Sequence, residues 1–178
     1  MSEEMAGVAM AQPTEGVGKT GFVLSVAGAV VILDQITKWM VRRDVPPYDS
    51  IPVIDGFFSI THASNPGGAF SLFAGAHDGI RVPFFLIAAT LAIGVLIYFI
   101  RQIPAQQRWL LFAVAGVLGG ALGNLIDRIV YGAVTDFLLV YYRGWHWPAF
   151  NVADSFISIG VTILIAHSIF ARDDAPAA

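Results

Sequence analysis

The sequence predicts an all-α integral membrane protein, a bundle of four transmembrane helices with a small β-hairpin and an extramembrane loop. Composition is the first reason: 56% of the 178 residues are hydrophobic and only 13% are charged. A soluble domain carries roughly twice that charged fraction, and the mean hydropathy is +0.69. The second reason is the presence of four apolar segments. Each is close to the ~20 residues that cross the hydrocarbon core of a bilayer.

The four apolar segments span residues 21–40, 82–100, 109–126 and 150–171. Backbone polar groups in lipid must pair within their own segment, so each segment should be a helix. A short polar turn at 101–108 joins the second and third helices, which should therefore form an antiparallel hairpin. The third helix carries glycines at i, i+4 spacing, a pattern typical of close helix packing.

The ends of the chain differ from its middle. Residues 1–18 are polar and acidic and lack periodicity, so we expect a flexible cytosolic tail there. A single membrane-embedded domain should follow over 19–171, with a short cytosolic tail at 172–178. The absence of cysteine excludes disulfides, zinc–thiolate sites and a cysteine nucleophile. Lys and Arg do not cluster, so a nucleic-acid partner is not expected.

Two long connections should lie on the membrane face opposite the termini. Residues 42–80 contain Asp55-Gly56, a strong hairpin-turn signal between two strand-like runs. Residues 129–149 are rich in the Tyr and Trp that settle at a membrane–water boundary. Lys and Arg are distributed over both faces, so the positive-inside rule leaves the orientation open.

Ionisable residues in or beside membrane segments indicate function, because each costs at least ~2.5 kcal/mol on insertion scales. An even number of crossings separates these residues along the chain, so they should all lie toward the same membrane face. There are six of them: Asp34, Lys38, Asp127, Arg128, Asp136 and Asp154.

Some of these charges have a partner nearby in sequence. Asp34 and Lys38 are four residues apart on one helix and can form an ion pair. Asn124, Asp127 and Arg128 lie at i, i+3 and i+4, so one helix end should present an amide, an acid and a base together. A structural role is the simpler interpretation of Asp34, Lys38 and Asp127.

Asp136 and Asp154 differ from the others, because neither has a Lys or Arg within four residues. Asp136 lies in an apolar, extended run, and Asn151 precedes Asp154 by one helical turn. Two carboxyls brought together at low dielectric cannot both ionise easily, so they share a proton and can act on a water as base and acid. Their separation in the sequence leaves open whether they meet.

Other chemistries have weaker support. The chain has no GxSxG elbow, HExxH pair or Walker loop, and its four histidines lack ligand spacing, so no metal site or cofactor is expected. A serine–lysine dyad using Lys38 stays open, as do a small transporter and a non-enzymatic assembly subunit. Acids gathered at one membrane edge, beside two long aromatic connections, favour an enzyme.

Five sequence blocks in order show a family resemblance. They are LDQITK (33–38), NPGGAFS (65–71), GGALGNLIDR (119–128), VTDF (134–137) and FNVADS (150–155). Through them the chain resembles the bacterial lipoprotein signal peptidases, signal peptidase II, from about Val23 to Ala171. The second block departs from the family's more usual Asn-Thr-Gly-Ala at Pro66 and Gly68, so substrate contacts there should differ.

The resemblance implies an aspartyl endopeptidase of the bacterial inner membrane. Its termini would be cytoplasmic and its site near the periplasmic face, with the hairpin over 51–63 as a periplasmic cradle. Its partners would be diacylglyceryl-modified prolipoproteins, cut before the lipidated cysteine, and membrane phospholipid, and the protein would be a monomer. Asp136 and Asp154 would be the catalytic pair. The residues that line or brace the site would be Asp34, Lys38, Asn65, Gly67, Asn124, Asp127, Arg128 and Asn151.

Overall fold

The computed structural model describes residues 14–67 and 77–170, in four helices and four strands. All four helices are long and apolar enough to cross a membrane. In chain order the elements are α1 (Thr14–Asp44), β1 (Ser50–Ile54), β2 (Phe58–Asn65), α2 (Asp78–Gln102), α3 (Arg108–Tyr131), β3 (Val134–Tyr142), β4 (Trp145–His146) and α4 (Val152–Phe170).

The predicted helices are present, and most are longer than their apolar segments. Helix α1 begins at Thr14, inside the segment 1–18 that was expected to be a tail, and continues to Asp44 beyond the apolar run. The turn 101–108 joins α2 to α3 as predicted. Residues 1–13, Gly68 and the expected tail over 172–178 lie outside the described residues.

Helix α3 is the centre of the bundle and packs against α1, α2 and α4. Its glycines permit the close approach that their spacing predicted. A Cβ on Gly119 would lie 2.7 Å from the Ala27 carbonyl oxygen of α1, and one on Gly120 would lie 2.5 Å from the Ala153 carbonyl oxygen of α4. Contacts this short leave no room for a methyl group, so α1 and α4 both depend on glycine at α3.

The expected four-helix bundle with a hairpin is present, but the description all-α is inexact, because the structure also contains a four-stranded antiparallel sheet in the order β1-β2-β3-β4. The β1–β2 hairpin was predicted, and Gly56 at its turn has a positive φ of 75°. The connection 129–149 was expected to be a loop. About half of it instead forms β3 and β4, since the apolar run that starts at Val134 pairs with β2 along most of its length.

A bulge in β2 sets the register beside the polar cluster. Ile60 pairs with Leu138 and Ala63 with Asp136, so β2 has one extra residue between these pairs. The backbone of His62, within the bulge, bonds outward: its carbonyl accepts from the Tyr48 N–H, and its N–H donates to Asp49. The bulge leaves the end of β2 level with the start of β3.

Candidate active site

Asp136 and Asp154 line the same cavity, which has a volume of about 1100 Å³. Asp136 lies on β3, which pairs with the end of β2, and is 2% exposed. Asp154 lies in the first turn of α4 and is half-buried. The two acids that had no basic neighbour in the sequence therefore meet in space, at the junction of the sheet and the helical bundle.

Asn151 contacts both carboxyl groups. Its side-chain Nδ2 donates to Oδ1 of Asp136 at 2.7 Å, and its backbone N–H donates to Oδ2 of Asp154 at 3.2 Å. In return its Oδ1 accepts the Asp154 backbone N–H at 2.9 Å. Asn151 precedes Val152, the first residue of α4. This reciprocal pair is a capping box, which explains why an acid lies three residues after an asparagine here.

Two further amides complete the surroundings of the acids. Asn65, at the end of β2, donates from Nδ2 to Oδ2 of Asp136 at 2.9 Å, while its Oδ1 accepts the Gly67 N–H at 3.1 Å. Asn124 of α3 donates from Nδ2 to Oδ1 of Asp154 at 2.8 Å. Both oxygens of each carboxyl group therefore accept a hydrogen bond from an N–H donor, which holds the two side chains in place.

The pKa of Asp136 is raised to about 7, chiefly because burial penalises the charged form and secondly because Asp154 is a like charge nearby. Hydrogen bonds from the Asn65 and Asn151 side chains act in the opposite direction. A carboxyl with such a pKa keeps its proton up to about neutral pH, where an ordinary aspartate has lost it. The pair can therefore present one acid and one base to a molecule in the cavity.

A buried ionic network supports the site from the α1 side. The predicted pair of Asp34 and Lys38 is present at 2.9 Å, and Lys38 also lies 3.2 Å from Asp127, with all three side chains fully buried. Lys38 Nζ donates to Oδ1 of Asn124 at 2.9 Å. Asp34 Oδ1 accepts the Ala153 N–H at 3.0 Å, so a carboxylate from α1 caps the start of α4.

Asp127 and Arg128, at the end of α3, have different surroundings. Asp127 accepts the Thr135 N–H at 3.0 Å and so joins α3 to β3. Arg128 lines the cavity, and its Nη1 donates to the Asn124 backbone carbonyl at 3.2 Å. Its guanidinium carbon lies 5.2 Å from the centre of the Phe85 ring. Its buried Nε has no hydrogen-bond partner among the described residues.

Sequence reasoning missed Gln35 and Arg42. Gln35 Nε2 lies within hydrogen-bond distance of Asp34, Asp127 and the Gly123 carbonyl. Arg42 Nη1 donates to Thr135 Oγ1 at 3.0 Å and lies 3.4 Å from Asp127. A signal was available for Arg42, because it follows Asp34 and Lys38 at the next i+4 position and so lies on the same face of α1.

The cavity is polar where the aspartates lie, and along α4 beyond Asp154 serines and isoleucines both line it. Its remaining walls come from the end of β2 and the residue after it, the start of β3, the segment 146–150 and α4: Ala63, Ser64, Pro66, Val134, His146, Trp147, Pro148, Ala149, Phe150, Ser155, Ile157, Ser158 and Ile159. Across residues 14–67 and 77–170, no group of three or more His, Asp or Glu side chains is arranged to hold a metal ion.

Comparisons with known proteins agree with this geometry. The family profile of signal peptidase II matches residues 26–170. The lipoprotein signal peptidase of Desulforapulum autotrophicum is 46% identical over 82% of this chain and 90% of its own length. That of Geobacter sulfurreducens is 48% identical over 78% of this chain and 86% of its own.

A solved structure described as a bacterial membrane enzyme, determined by the in meso method at 2.3 Å, superposes with a TM-score of 0.76. It is 33% identical, and the match covers 89% of this chain and 94% of that one. A second such structure, at 1.9 Å, gives a TM-score of 0.74 over 87% and 95% of the two chains. The chain belongs to the signal peptidase II family.

Proposed function

We propose that Asp136 and Asp154 are the catalytic pair of this chain and that it cuts its substrate just before a lipidated cysteine. Family membership makes the chain an aspartic peptidase, a hydrolase that removes signal peptides from prolipoproteins. One observation carries the assignment of the pair: Asn151 hydrogen bonds to both carboxyl groups at the wall of one cavity.

The two carboxyls have different tasks in this mechanism. Asp136, whose pKa is raised to about 7, is the proton donor in this proposal, and Asp154 is the base. Asp154 removes a proton from a water molecule held between them, and the water oxygen attacks the scissile carbonyl carbon. The Asp136 proton then neutralises the developing charge on the substrate. When the C–N bond breaks, a proton passes from the pair to the leaving amine.

Arg128 is the group best placed to hold substrate. It lines the cavity, and its buried Nε is without a hydrogen-bond partner among the residues that the structure describes. A substrate carbonyl or a developing oxyanion would supply the missing acceptor. The cavity continues along α4 past Ile157 and Ile159, whose apolar side chains suit contact with the signal peptide or with the acyl chains of a lipidated cysteine.

The membrane setting follows from the same proposal. We place the protein as a monomer in the bacterial inner membrane, surrounded by phospholipid, with both termini in the cytoplasm and the site near the periplasmic face. The sheet and the aspartate pair lie at one end of the bundle, beyond the last turns of α1 and α3, which supports a site at a membrane surface. The exposed Trp145 and Trp147 beside it suit a membrane–water boundary.

A cleavage assay with purified protein tests the function. The protein is incubated in detergent with a chelator and either a diacylglyceryl-modified precursor or the same precursor without lipid. We expect cleavage only of the lipidated form, with the new N-terminus at the modified cysteine by mass spectrometry. Failure to cleave either precursor would favour a transporter or an assembly subunit. Equal cleavage of both would refute recognition of lipid.

A further inference from the structure

Three asparagine amides surround the aspartate pair, and in each one the oxygen is occupied by an N–H donor. The Asn65 oxygen accepts from the Gly67 backbone, the Asn151 oxygen from the Asp154 backbone, and the Asn124 oxygen from Lys38. An amide whose oxygen is held by a donor must turn its NH₂ group the other way. Each NH₂ group therefore faces a carboxyl group, as the distances in the site show.

Lys38 is the one of these three donors that belongs to a side chain. Its ammonium has only hydrogens to offer, lies 2.9 Å from Oδ1 of Asn124, and is fully buried. The Asn124 oxygen also accepts from Asn151 Nδ2, but at 3.2 Å. That Nδ2 group is shared with Asp136 at 2.7 Å and with the Thr135 carbonyl at 3.4 Å. Lys38 therefore dominates the orientation of the Asn124 amide.

We propose that Lys38 is a positioning residue for hydrolysis: it fixes the Asn124 amide so that its NH₂ group holds Asp154 in the carboxylate form. This inference rests on the proposed role of Asp154 as base. Without Lys38, the Asn124 oxygen keeps only the longer contact from Asn151, so its amide is held less firmly in this orientation. With the amide reversed, its oxygen would face a carboxylate oxygen of Asp154, an arrangement that favours the protonated, inactive acid.

Other charged groups surround Asn124 and Asp154, and a test must separate their effects from that of the amide. Helix α1 contributes Asp34 and Arg42 with Lys38, α3 contributes Asp127 and Arg128, and β3 contributes Asp136. His146 lines the same cavity. Removing Lys38 changes the field of this whole group as well as the orientation of the amide, so pH dependence alone is not decisive.

Removing Lys38 alone would leave the buried carboxylates of Asp34 and Asp127 without this cation. The variants therefore carry D34N as well, which removes one of the two negative charges. We compare D34N with D34N/K38M, since an asparagine oxygen at 34 can still accept the Ala153 N–H. The readout is the pH dependence of single-turnover cleavage with enzyme in excess. We expect the acidic limb of the D34N/K38M profile to lie about 1 pH unit higher, as for the loss of one hydrogen bond to a charged group.

Four further variants show whether the effect passes through the Asn124 amide. D34N/K38Q keeps a shorter amide donor at residue 38 and should recover at least about half of the shift. K19M removes a lysine that donates to the Arg101 and Ile103 carbonyls at the other end of the bundle, so its profile should match that of the wild type. In a D34N/N124L background, adding K38M should produce no further shift, because the amide that transmits the effect is gone.

The outcomes are distinct. A shift of equal size with and without Asn124 would overturn the proposal in favour of a long-range charge effect, and no shift in D34N/K38M would overturn it outright. Circular dichroism of each purified variant accompanies the kinetics. The proposed catalytic pair fails separately, if D154N keeps its cleavage rate. That result would refute Asp154 as the base, whatever the combined Lys38 and Asn124 variants show.

Discussion

Replacing Asp136 by asparagine should stabilise the folded protein at pH 8, although it removes one of the two proposed catalytic carboxyls. The pKa of Asp136 rises from 3.8 to about 7 on folding, mainly through burial. Between these two values the folded state keeps a proton that the unfolded state releases. Stability from this group is therefore complete below about pH 4 and is lost as the pH rises through 7.

The magnitude follows from the pKa difference and the hydrogen bonds. A shift of about 3 pH units corresponds to about 4 kcal/mol of destabilisation when the carboxyl is ionised. Asparagine at 136 avoids this cost, but only one of its two side-chain groups can accept from Asn65 and Asn151. The lost bond costs about 1–3 kcal/mol. We therefore expect a net gain of about 1–3 kcal/mol at pH 8 and a net loss at pH 4.

The assay is thermal unfolding of purified D136N and wild-type protein in detergent, across pH 4 to 8. The melting temperature of D136N should exceed that of the wild type by a few degrees at pH 8, and the order should reverse at low pH. D55N is the matched control, since Asp55 is exposed in a hairpin turn that also accepts asparagine. A D136N variant that is less stable than the wild type at pH 8, or a difference independent of pH, would refute the reasoning.

The same structure predicts two further outcomes. G120A should lower stability by about 1–3 kcal/mol and slow cleavage, because the new methyl would lie 2.5 Å from the Ala153 oxygen and force α4 away from α3. G28A, with nothing within 4 Å of the added carbon, should leave both quantities near or above wild type; equal effects from the two would contradict this packing argument. N151S keeps an N-cap hydroxyl but loses the buried amide donor to Asp136, so it should lower stability by about 1–3 kcal/mol and lose most cleavage. N151A should lose about 1 kcal/mol more than N151S, measured by the same melting and cleavage assays, and a fully active N151S would exclude the amide from the site.

Hydropathy was sufficient to find the helices, because the requirement for about 20 apolar residues is a local property of the chain. It was not sufficient for the sheet. Apart from Thr135 and Asp136, the run that starts at Val134 is apolar on both faces, like a buried or interfacial segment, and only its pairing with β2 identifies it as a strand. Strand pairing over such distances depends on the rest of the fold, so a loop was expected where β3 and β4 lie.

The candidate site was predictable where its contacts are local. Asp34 and Lys38 are one turn apart on α1, and their ion pair follows from helical spacing. Asn151 and Asp154 cap their own helix in the same local way. The bond from Asn151 to Asp136 needs β3 against α4, and sequence spacing carries no information on that packing.

The close approaches between helices could be predicted only in part from the sequence. Glycine spacing on α3 indicated close packing, but not which groups would fill the space. Gly123 leaves room for the Asp34 carboxylate, since a Cβ there would lie 2.5 Å from its Oδ2. Asp34 can then reach across to the Ala153 N–H. A carboxylate of α1 thus caps α4 through a gap in α3, a three-helix arrangement that no pairwise spacing rule predicts.

The measurement that tests the central claim most directly is the cleavage rate of D136N and D154N on a lipidated precursor, at the pH optimum of the wild type. Each loses a group that must transfer a proton, so each rate should fall by at least about 100-fold, while D55N cleaves at the wild-type rate. Either variant cleaving as fast as D55N, with its fold intact by circular dichroism, would contradict the assignment of Asp136 and Asp154 as the catalytic pair.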